Sequence, residues 1–497
     1  MIGSDRQLSR GTFYLAAGQA AFLLSGFALY AFLARWLSPS LFGVFRVAMS
    51  LLVWVEITVN NGVPAALQRF LPDPSLVEPS VRRSAARCQA ILSIGMFGLF
   101  FLAAPWLAAL LRDPDLTGYL RLAFIDILGM GAYGYYRGIL NGKRAFRQLA
   151  ATIALYALTK LAVSSLLVYA GLGVEGALVG NIASSLGGLA VAFLWSRRWS
   201  VPSGPETGQE LSERQVWAFV VPAIAFTLSS NLLLGLDLMG VQALLAGSAE
   251  VGYYGAAVIL ADAPRLVLLA FSFTLLPSLS HAIAAQDLAQ TRDYLRQVIR
   301  LLALAILPVL ALVTGMAEPL VTLLFSETYR PTAPILTVLI FSYAAYSVYI
   351  TLVTALLAEN RPGRALTIPT ALLPLAGVLI WLGVSRLGAI GAAFASLVSV
   401  SMAALIVIVY VLRRFRPKVN LVSLARIAVA SFLLGVVARL WSPSGPILIL
   451  ACGVLGGFYV ALLLVLGEVR RQDVIAVMAW FAPPRPPKEE EHGVGEL

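Results

Sequence analysis

The sequence predicts an all-α integral membrane protein of about 14 transmembrane helices. We expect two six-helix lobes, related by a pseudo-two-fold axis along the membrane normal, followed by two C-terminal helices. Three observations predict this. Of the 497 residues, 59% are hydrophobic and only 12% are charged, about half the charged fraction of soluble domains. The apolar residues form runs long enough to cross the ~30 Å hydrocarbon layer, and sequence patterns recur in the two halves of the chain.

Fourteen apolar runs are separated by short connections. Because lipid offers no hydrogen-bond partners to the backbone, each run is predicted to be a helix. The runs cover residues 13–34, 41–64, 86–107, 118–137, 148–170, 174–196, 215–244, 250–276, 299–323, 332–357, 365–385, 388–412, 421–438 and 446–468.

Basic residues alternate between the two predicted sides of the membrane. With a cytoplasmic N-terminus, 27 of the 36 Lys and Arg residues fall in inner loops and six in outer loops. Cytoplasmic loops are the ones enriched in Lys and Arg, so both termini are predicted to be cytoplasmic. These loops also account for the net charge of +11, and we expect no nucleic-acid partner, because such binders cluster their basic residues on one face. The remaining three of the 36 basic residues lie inside predicted spans; they are Arg46, Lys160 and Arg265.

An internal repeat divides the chain. The segment from Leu172 (LGVEGALVGN) resembles the segment from Leu387 (LGAIGAAFAS), and SPSLFGVF from Ser38 resembles GSAEVGYY from Gly247, at a spacing of about 210–216 residues. Six spans per repeat give the halves the same orientation, as in transporters with a site between parallel repeats. We predict an N-terminal lobe (1–212), a C-terminal lobe (213–415), two further spans (416–470) and a cytoplasmic tail (471–497).

Five segments resemble the polysaccharide flippases, of the O-antigen or Wzx type, in the MOP exporter superfamily. They are LSPSLFGVF and NGVPAALQRF of the second span, RGILNGKRAF from Arg137, LDLMGVQALLAGSAEVGYYGAA from Leu236, and PLVTLLFSETYRPTAPIL from Pro319. The resemblance implies a MATE-like pair of lobes in the cytoplasmic (inner) membrane, with spans 1, 2, 7 and 8 around a central cavity. It implies alternating-access export of a polyprenyl-pyrophosphate-linked oligosaccharide. Membrane lipids are the other expected partners, and a monomer is expected.

Charged and polar residues within the second, seventh and eighth spans are the candidate site. On the second span, Arg46, Glu56 and Asn60 fall within about 80° of one helix face, and intramembrane charges normally face a protein interior or a watery cavity. Arg forks suit pyrophosphate, so the substrate-binding prediction is Arg46, Arg265 and Asn60. Ion coupling, to Na⁺ or H⁺, or gating is assigned to Glu56, Asp237 and Asp262. Ion pairs Glu56–Arg265 and Arg46–Asp237 that merely join the lobes are the alternative.

Other interpretations stay open. A MATE-type cation-coupled multidrug antiporter would need an acidic, aromatic cavity. Asp126 and Lys160 are interpreted as a structural salt bridge away from the cavity. Two His and two Cys residues make a His/Cys metal site unexpected, and no other cofactor is expected. Asp113-Pro-Asp115 could suggest a membrane glycosyltransferase, but a turn is preferred, and we predict that the protein is not an enzyme.

Overall fold

The computed structural model describes residues 2–198, 208–265, 282–283, 287–359, 362–441 and 443–468. This part of the chain is helical, with a single isolated bridge between Leu76 and Gln209. The helices are α1 (Ile2–Trp36), α2 (Pro39–Asn61), α3 (Val63–Phe70), α4 (Glu78–Leu110), α5 (Leu116–Gly142), α6 (Phe146–Leu167), α7 (Gly173–Arg197), α8 (Glu213–Leu244), α9 (Ala249–Ala261), α10 (Leu288–Gly315), α11 (Ala317–Leu324), α12 (Thr332–Ala358), α13 (Pro362–Leu387), α14 (Ala389–Phe415), α15 (Leu421–Leu440) and α16 (Ile447–Val465).

The predicted membrane fold is confirmed. Within the described residues, 11 helical segments are long and apolar enough to cross a membrane, and one of these, Phe146–Arg197, contains both α6 and α7. Thirteen of the fourteen predicted spans coincide with long helices, the second with α2 and the start of α3 and the ninth with α10 and α11, although α5 is not among those eleven segments. The eighth span, 250–276, coincides with the 13-residue α9 over its first half. The eighth span is described only as far as residue 265, and the predicted tail, 471–497, lies outside the described residues.

Helix packing repeats between the two halves of the chain. The contacts α1–α6, α2–α5, α4–α5, α5–α7 and α6–α7 recur, helix for helix, as α8–α13, α9–α12, α10–α12, α12–α14 and α13–α14. The repeated sequence motif has a local cause in both places. Gly173 (φ 53°, ψ −133°), the first residue of α7, and Gly388 (φ 63°, ψ −146°), the residue before α14, adopt the same backbone conformation. Because a side chain is strongly disfavoured there, glycine is required twice.

Two equivalent helices, α2 and α9, meet where the two halves face each other. A Cβ atom on Gly252 would lie 1.9 Å from the carbonyl oxygen of Pro39, and one on Gly43 would lie 2.9 Å from the backbone nitrogen of Gly252. Gly43 and Gly252 are equivalent positions of the internal repeat. Small residues that let backbones approach are a known basis of helix association in lipid, so this glycine pair sets the distance between the halves.

The halves touch at both ends of α2. At the predicted outer end, the side chain of Gln242 donates a 3.2 Å hydrogen bond to Asp113, and Asp113-Pro-Asp115 forms the turn before α5. At the predicted inner end, Arg87 pairs with Glu213 at 3.1 Å. Other polar contacts accompany these two. Arg35 donates to the carbonyl of Leu323 at the outer end, and the hydroxyl of Ser84 donates to the carbonyl of Leu211 beside Glu213 at the inner end. Exposed contacts such as Arg87–Glu213 contribute little binding energy individually.

The last two helices attach to α10. Glu468 accepts hydrogen bonds from Arg300 (2.7 Å) and Ser423, while α15 packs directly against α10. A Cβ atom on Gly315, at the end of α10, would lie 2.9 Å from Ala438 of α15. The two helices outside the repeat are thus fixed to the C-terminal half.

The glycine contact predicts a change in access at the predicted outer end. Gly43→Val should separate α2 from α9, because a branched side chain there meets backbone rather than a movable side-chain tip. Val251, which is 2% exposed and faces Gly43, serves as the reporter. In a protein with its two native cysteines replaced by alanine, we expect Gly43→Val to raise the thiol-labelling rate of Val251→Cys severalfold.

The matched control is Gly95→Val in the same reporter protein, because a Cβ atom on Gly95 meets nothing within 4 Å. An unchanged labelling rate in the Gly43→Val protein, with the protein still folded, would contradict the closing role of the glycine contact.

Candidate functional site

A cavity of about 500 Å³ lies between the two halves. Residues of α1, α2, α8 and α9 line it, which matches spans 1, 2, 7 and 8 of the implied architecture. A few residues of α6 and α12 complete the lining. Its charged lining residues are Arg46, Lys160, Asp237, Asp262 and Arg265. Its aromatic and uncharged polar lining includes Phe22, Phe27, Tyr30, Trp54, Tyr343, Gln19, Ser50 and Asn231.

Arg46 enters the cavity from α2, and no ion pair joins it to a carboxylate of the described residues. Its guanidinium lies 5.0 Å from the ring centroid of Tyr30, and its Nε atom is buried without a hydrogen-bond partner. A Cβ atom on Gly255 would lie 2.9 Å from Cγ of Arg46, so the stem of Arg46 crosses α9 at its repeat-equivalent position. Among the described residues no ion pair joins Arg46 to Asp237, so that alternative is not observed.

Arg265 enters the cavity from the other half, just beyond α9. Pro264 cannot donate a backbone hydrogen bond and its ring clashes with the preceding turn, and α9 ends at Ala261. Arg265 lies three residues after Asp262, at the spacing of one helical turn, and forms a bidentate pair with it, with both N–O distances 2.7 Å. The predicted alternative pair Glu56–Arg265 is therefore replaced by Asp262–Arg265 within one half.

Asp237 contributes little free charge to the cavity. It is 2% exposed, accepts a 2.7 Å hydrogen bond from the hydroxyl of Tyr254, and accepts another of 2.7 Å from the backbone N–H of Leu238. Both partners belong to the C-terminal half. Asp237 thus lies at the edge of the cavity as a satisfied side chain of α8.

Glu56 and Asn60 do not lie where their helix face predicts. Neither lines the cavity. Glu56 is 8% exposed and interacts electrostatically with Lys160, Asp126 and Asn181 inside the N-terminal half, while the side-chain oxygen of Asn60 packs over Gly134 of α5. At 100° per residue, Glu56 lies about 90° from the centre of the cavity-lining face of α2, which is enough to turn it into the lobe. The structure therefore corrects the expectation that these two side chains face the cavity.

Lys160 corrects a second expectation. Sequence reasoning paired it with Asp126 away from the cavity, but Lys160 lines the cavity from α6. Asp126 is fully buried and accepts a 2.6 Å hydrogen bond from Asn181 instead. A single sequence gives no relation between α6 and α2, so only the packing of α6 against α1 could have placed Lys160 here.

The charge of the cavity favours an anion. Three cations and two carboxylates line it, and both carboxylates are held within the C-terminal half by Arg265 and Tyr254. The two cations of the N-terminal half, Arg46 and Lys160, therefore remain available. Guanidinium and ammonium donors suit phosphate oxygens, and the surrounding rings and amides suit sugar faces and hydroxyls. No group of three or more His, Cys, Asp and Glu side chains that could hold a metal ion occurs in the described part.

Comparison with known proteins identifies the family. The model of a family described as "Polysaccharide biosynthesis protein" matches residues 32–334, which is more than half of the chain. A search of curated protein sequences finds no significant match.

Solved structures share the fold. One is the lipid II flippase MurJ in an inward closed conformation, which is 14% identical, with a TM-score of 0.70 over 93% of this chain and 99% of that chain. Another is an inward-facing multidrug resistance MATE family transporter of the MOP superfamily, 13% identical, with a TM-score of 0.67 over 80% of this chain and 94% of that one. A third is a MOP superfamily transporter from Pyrococcus furiosus, described as having a binding pocket of reverse polarity, 13% identical, with a TM-score of 0.60 over 82% and 95%.

The family match, the repeated lobes and the central cavity all support one assignment. The chain is a multi-pass membrane protein that belongs to the polysaccharide biosynthesis protein family and has the fold of the MOP-superfamily transporters and flippases.

Proposed function

We propose that this protein is a flippase for a polyprenyl-pyrophosphate-linked oligosaccharide, which it moves from the cytoplasmic to the outer leaflet of the inner membrane by alternating access. It acts as a carrier rather than an enzyme, as a monomer, with both termini cytoplasmic. The observation that carries the proposal is the pair Arg46 and Arg265 in one cavity between the lobes. The family match to polysaccharide biosynthesis supports a glycan as the cargo.

The pyrophosphate is the part of the substrate that needs the protein most. A doubly charged group cannot cross hydrocarbon unaided, because charge is costly there. Arg46 offers a buried, unpartnered Nε atom to the anion, and Arg265 offers the donors that Asp262 does not use. The aromatic rings and amides of the cavity then contact the first sugars, while the polyprenyl chain stays in lipid.

Closure at both ends by individually weak polar contacts suits alternating access. Opening an end requires loss of contacts such as Asp113–Gln242 at the outer end or Arg87–Glu213 at the inner end, together with local helix separation. Such contacts are weak enough to break and re-form during a transport cycle. Coupling to Na⁺ or H⁺ through Glu56, Asp237 or Asp262 is part of the proposal.

Removal of the two arginine charges should abolish transport. Each charge-assisted hydrogen bond contributes about 1.5–3 kcal/mol, and 1.4 kcal/mol is about tenfold in affinity. We therefore expect Arg46→Gln and Arg265→Gln each to lower export of surface glycan about tenfold or more, and the double variant to abolish it. The measurement is complementation of a deletion strain, with inner-leaflet accumulation of the lipid-linked oligosaccharide as the second readout.

The control is Arg386→Gln, which removes an exposed arginine at the end of α13 and should complement fully. Wild-type export by the Arg46→Gln/Arg265→Gln protein at normal abundance would refute the pyrophosphate role. Altered sensitivity of the deletion strain to cationic drugs, with intact surface glycan, would instead favour the multidrug antiporter.

Gly255 should matter because of the side chain that crosses it. Gly255→Leu would displace Arg46, whose Cγ and Cβ atoms lie 2.9 and 3.0 Å from the position of the added Cβ. We expect export to fall about as far as in Arg46→Gln, measured by the same complementation. Gly98→Leu, on an α4 position with nothing within 4 Å, is the control, and equal export by both glycine variants would disprove the positioning role.

A further inference from the structure

Three buried polar side chains meet inside the N-terminal half, outside the cavity. Glu56 of α2, Asp126 of α5 and Asn181 of α7 are 8%, 0% and 1% exposed. The amide of Asn181 donates a 2.6 Å hydrogen bond to one oxygen of Asp126, and Glu56 and Asp126 interact with each other. Oε1 of Glu56, Oδ1 of Asp126 and Oδ1 of Asn181 are all buried without a hydrogen-bond partner.

These three oxygens lack a donor. Ionised carboxylates and an amide oxygen only accept hydrogen bonds, whereas a protonated carboxyl donates one. A single proton on Glu56 or Asp126 would let one of these oxygens donate a hydrogen bond to another. Two adjacent buried carboxylates also cannot both stay ionised at low cost, and such a pair titrates as one unit.

The charges described around the pair balance when it holds one proton. Lys160 of α6 is the cation that interacts with both acids. The other side chains that interact with the acids are uncharged: the phenol of Tyr156, which faces both acids, and the hydroxyl of Ser185, which faces Asp126. Tyr156 in turn stacks on Tyr133 at 5.7 Å. With one proton on the pair, its remaining charge of −1 balances Lys160.

We propose that Glu56 and Asp126 share one exchangeable proton, held by Asn181, and that Lys160 links this proton to an anion in the cavity. The link to the anion rests on the proposed function, whereas the proton site itself does not. Lys160 lines the cavity, and no described carboxylate lies within ion-pairing distance of it. The positive charge of Lys160 stabilises the ionised form of the Glu56–Asp126 pair. An anion in the cavity that draws Lys160 toward itself weakens this stabilisation, so the pair then binds its proton more tightly. By linkage, the proton on the pair also favours binding of the anion.

The proton site is tested by infrared spectroscopy of the purified full-length chain. The carbonyl band of a protonated buried carboxyl group, identified by its shift in D₂O, should appear and disappear as one proton titrates. Glu56→Gln and Asp126→Asn should each remove that titrating band, because the proton is shared. Asp115→Asn, on an exposed turn, should keep it. A titrating band that survives both Glu56→Gln and Asp126→Asn overturns the site, and either variant alone decides if the other does not fold.

The link to the cavity is tested in the same samples with inorganic pyrophosphate as the probe. Pyrophosphate should raise the proton affinity of the wild-type pair at least tenfold, an upward shift of one pH unit or more in the midpoint of the band. Lys160→Gln should start from a higher midpoint and lose most of that shift.

Two outcomes would overturn the link between the proton and the cavity anion. Neither affects the test of the proton site, which depends only on the infrared band and its loss in Glu56→Gln and Asp126→Asn. An unshifted midpoint despite pyrophosphate binding disproves the role of Lys160. Absence of pyrophosphate binding removes the link together with the proposed anion site. A midpoint that moves when Na⁺ is replaced by choline would instead assign the carboxylates to a metal cation and overturn the proton.

Discussion

The contact between α2 and α9, made without side chains, is the constraint on which the architecture depends. Gly43 approaches its repeat equivalent, Gly252, closely enough that any Cβ atom would meet backbone. Three residues further along α2, the aliphatic part of the Arg46 side chain packs over Gly255, which is the position equivalent to Arg46 in the second repeat. Because the two helices meet at equivalent positions, the pseudo-axis passes between them. The close approach brings the side chain of Arg46 across the boundary between the halves.

The two halves have the same helix packing but carry different charges at the cavity. In the C-terminal half, both cavity carboxylates are already bonded, Asp262 to Arg265 and Asp237 to Tyr254 and Leu238, while Arg265 keeps donors that Asp262 does not use. In the N-terminal half, Arg46 and Lys160 line the cavity, and no ion pair within the described residues joins either to a carboxylate. The cavity therefore presents cationic donors to an anion from both walls, with its acids already engaged. Such an arrangement suits a carrier of an anionic substrate.

Much of the fold could be predicted because its causes are local. Span length, loop charge and the glycines at 173 and 388 each reflect a constraint that one stretch of sequence meets alone. Arg46 and Arg265 could be predicted as cavity residues for a similar reason, since an arginine in a span needs water or a partner. Lys160 could not be placed, because its surroundings depend on α1 and α2. The prediction for Glu56 and Asn60 is wrong because the polar residues of α2 face two places, the cavity and the polar interior of the N-terminal half. Helical periodicity shows that a face is polar but not which of the two it contacts.

Glu56 and Arg265 show how equivalent positions acquire different tasks. They occupy corresponding sites in the repeat, yet α2 continues through Glu56 to Asn61, whereas α9 stops at Ala261 before Pro264. The unbroken helix keeps Glu56 turned toward α5 and α7, where Asp126 and Asn181 lie. In the C-terminal half, Arg265 lines the cavity and pairs with Asp262. Equivalent positions of the repeat thus hold a buried acid in one half and a cavity-lining base in the other, so the two halves differ in charge although their helix packing is the same.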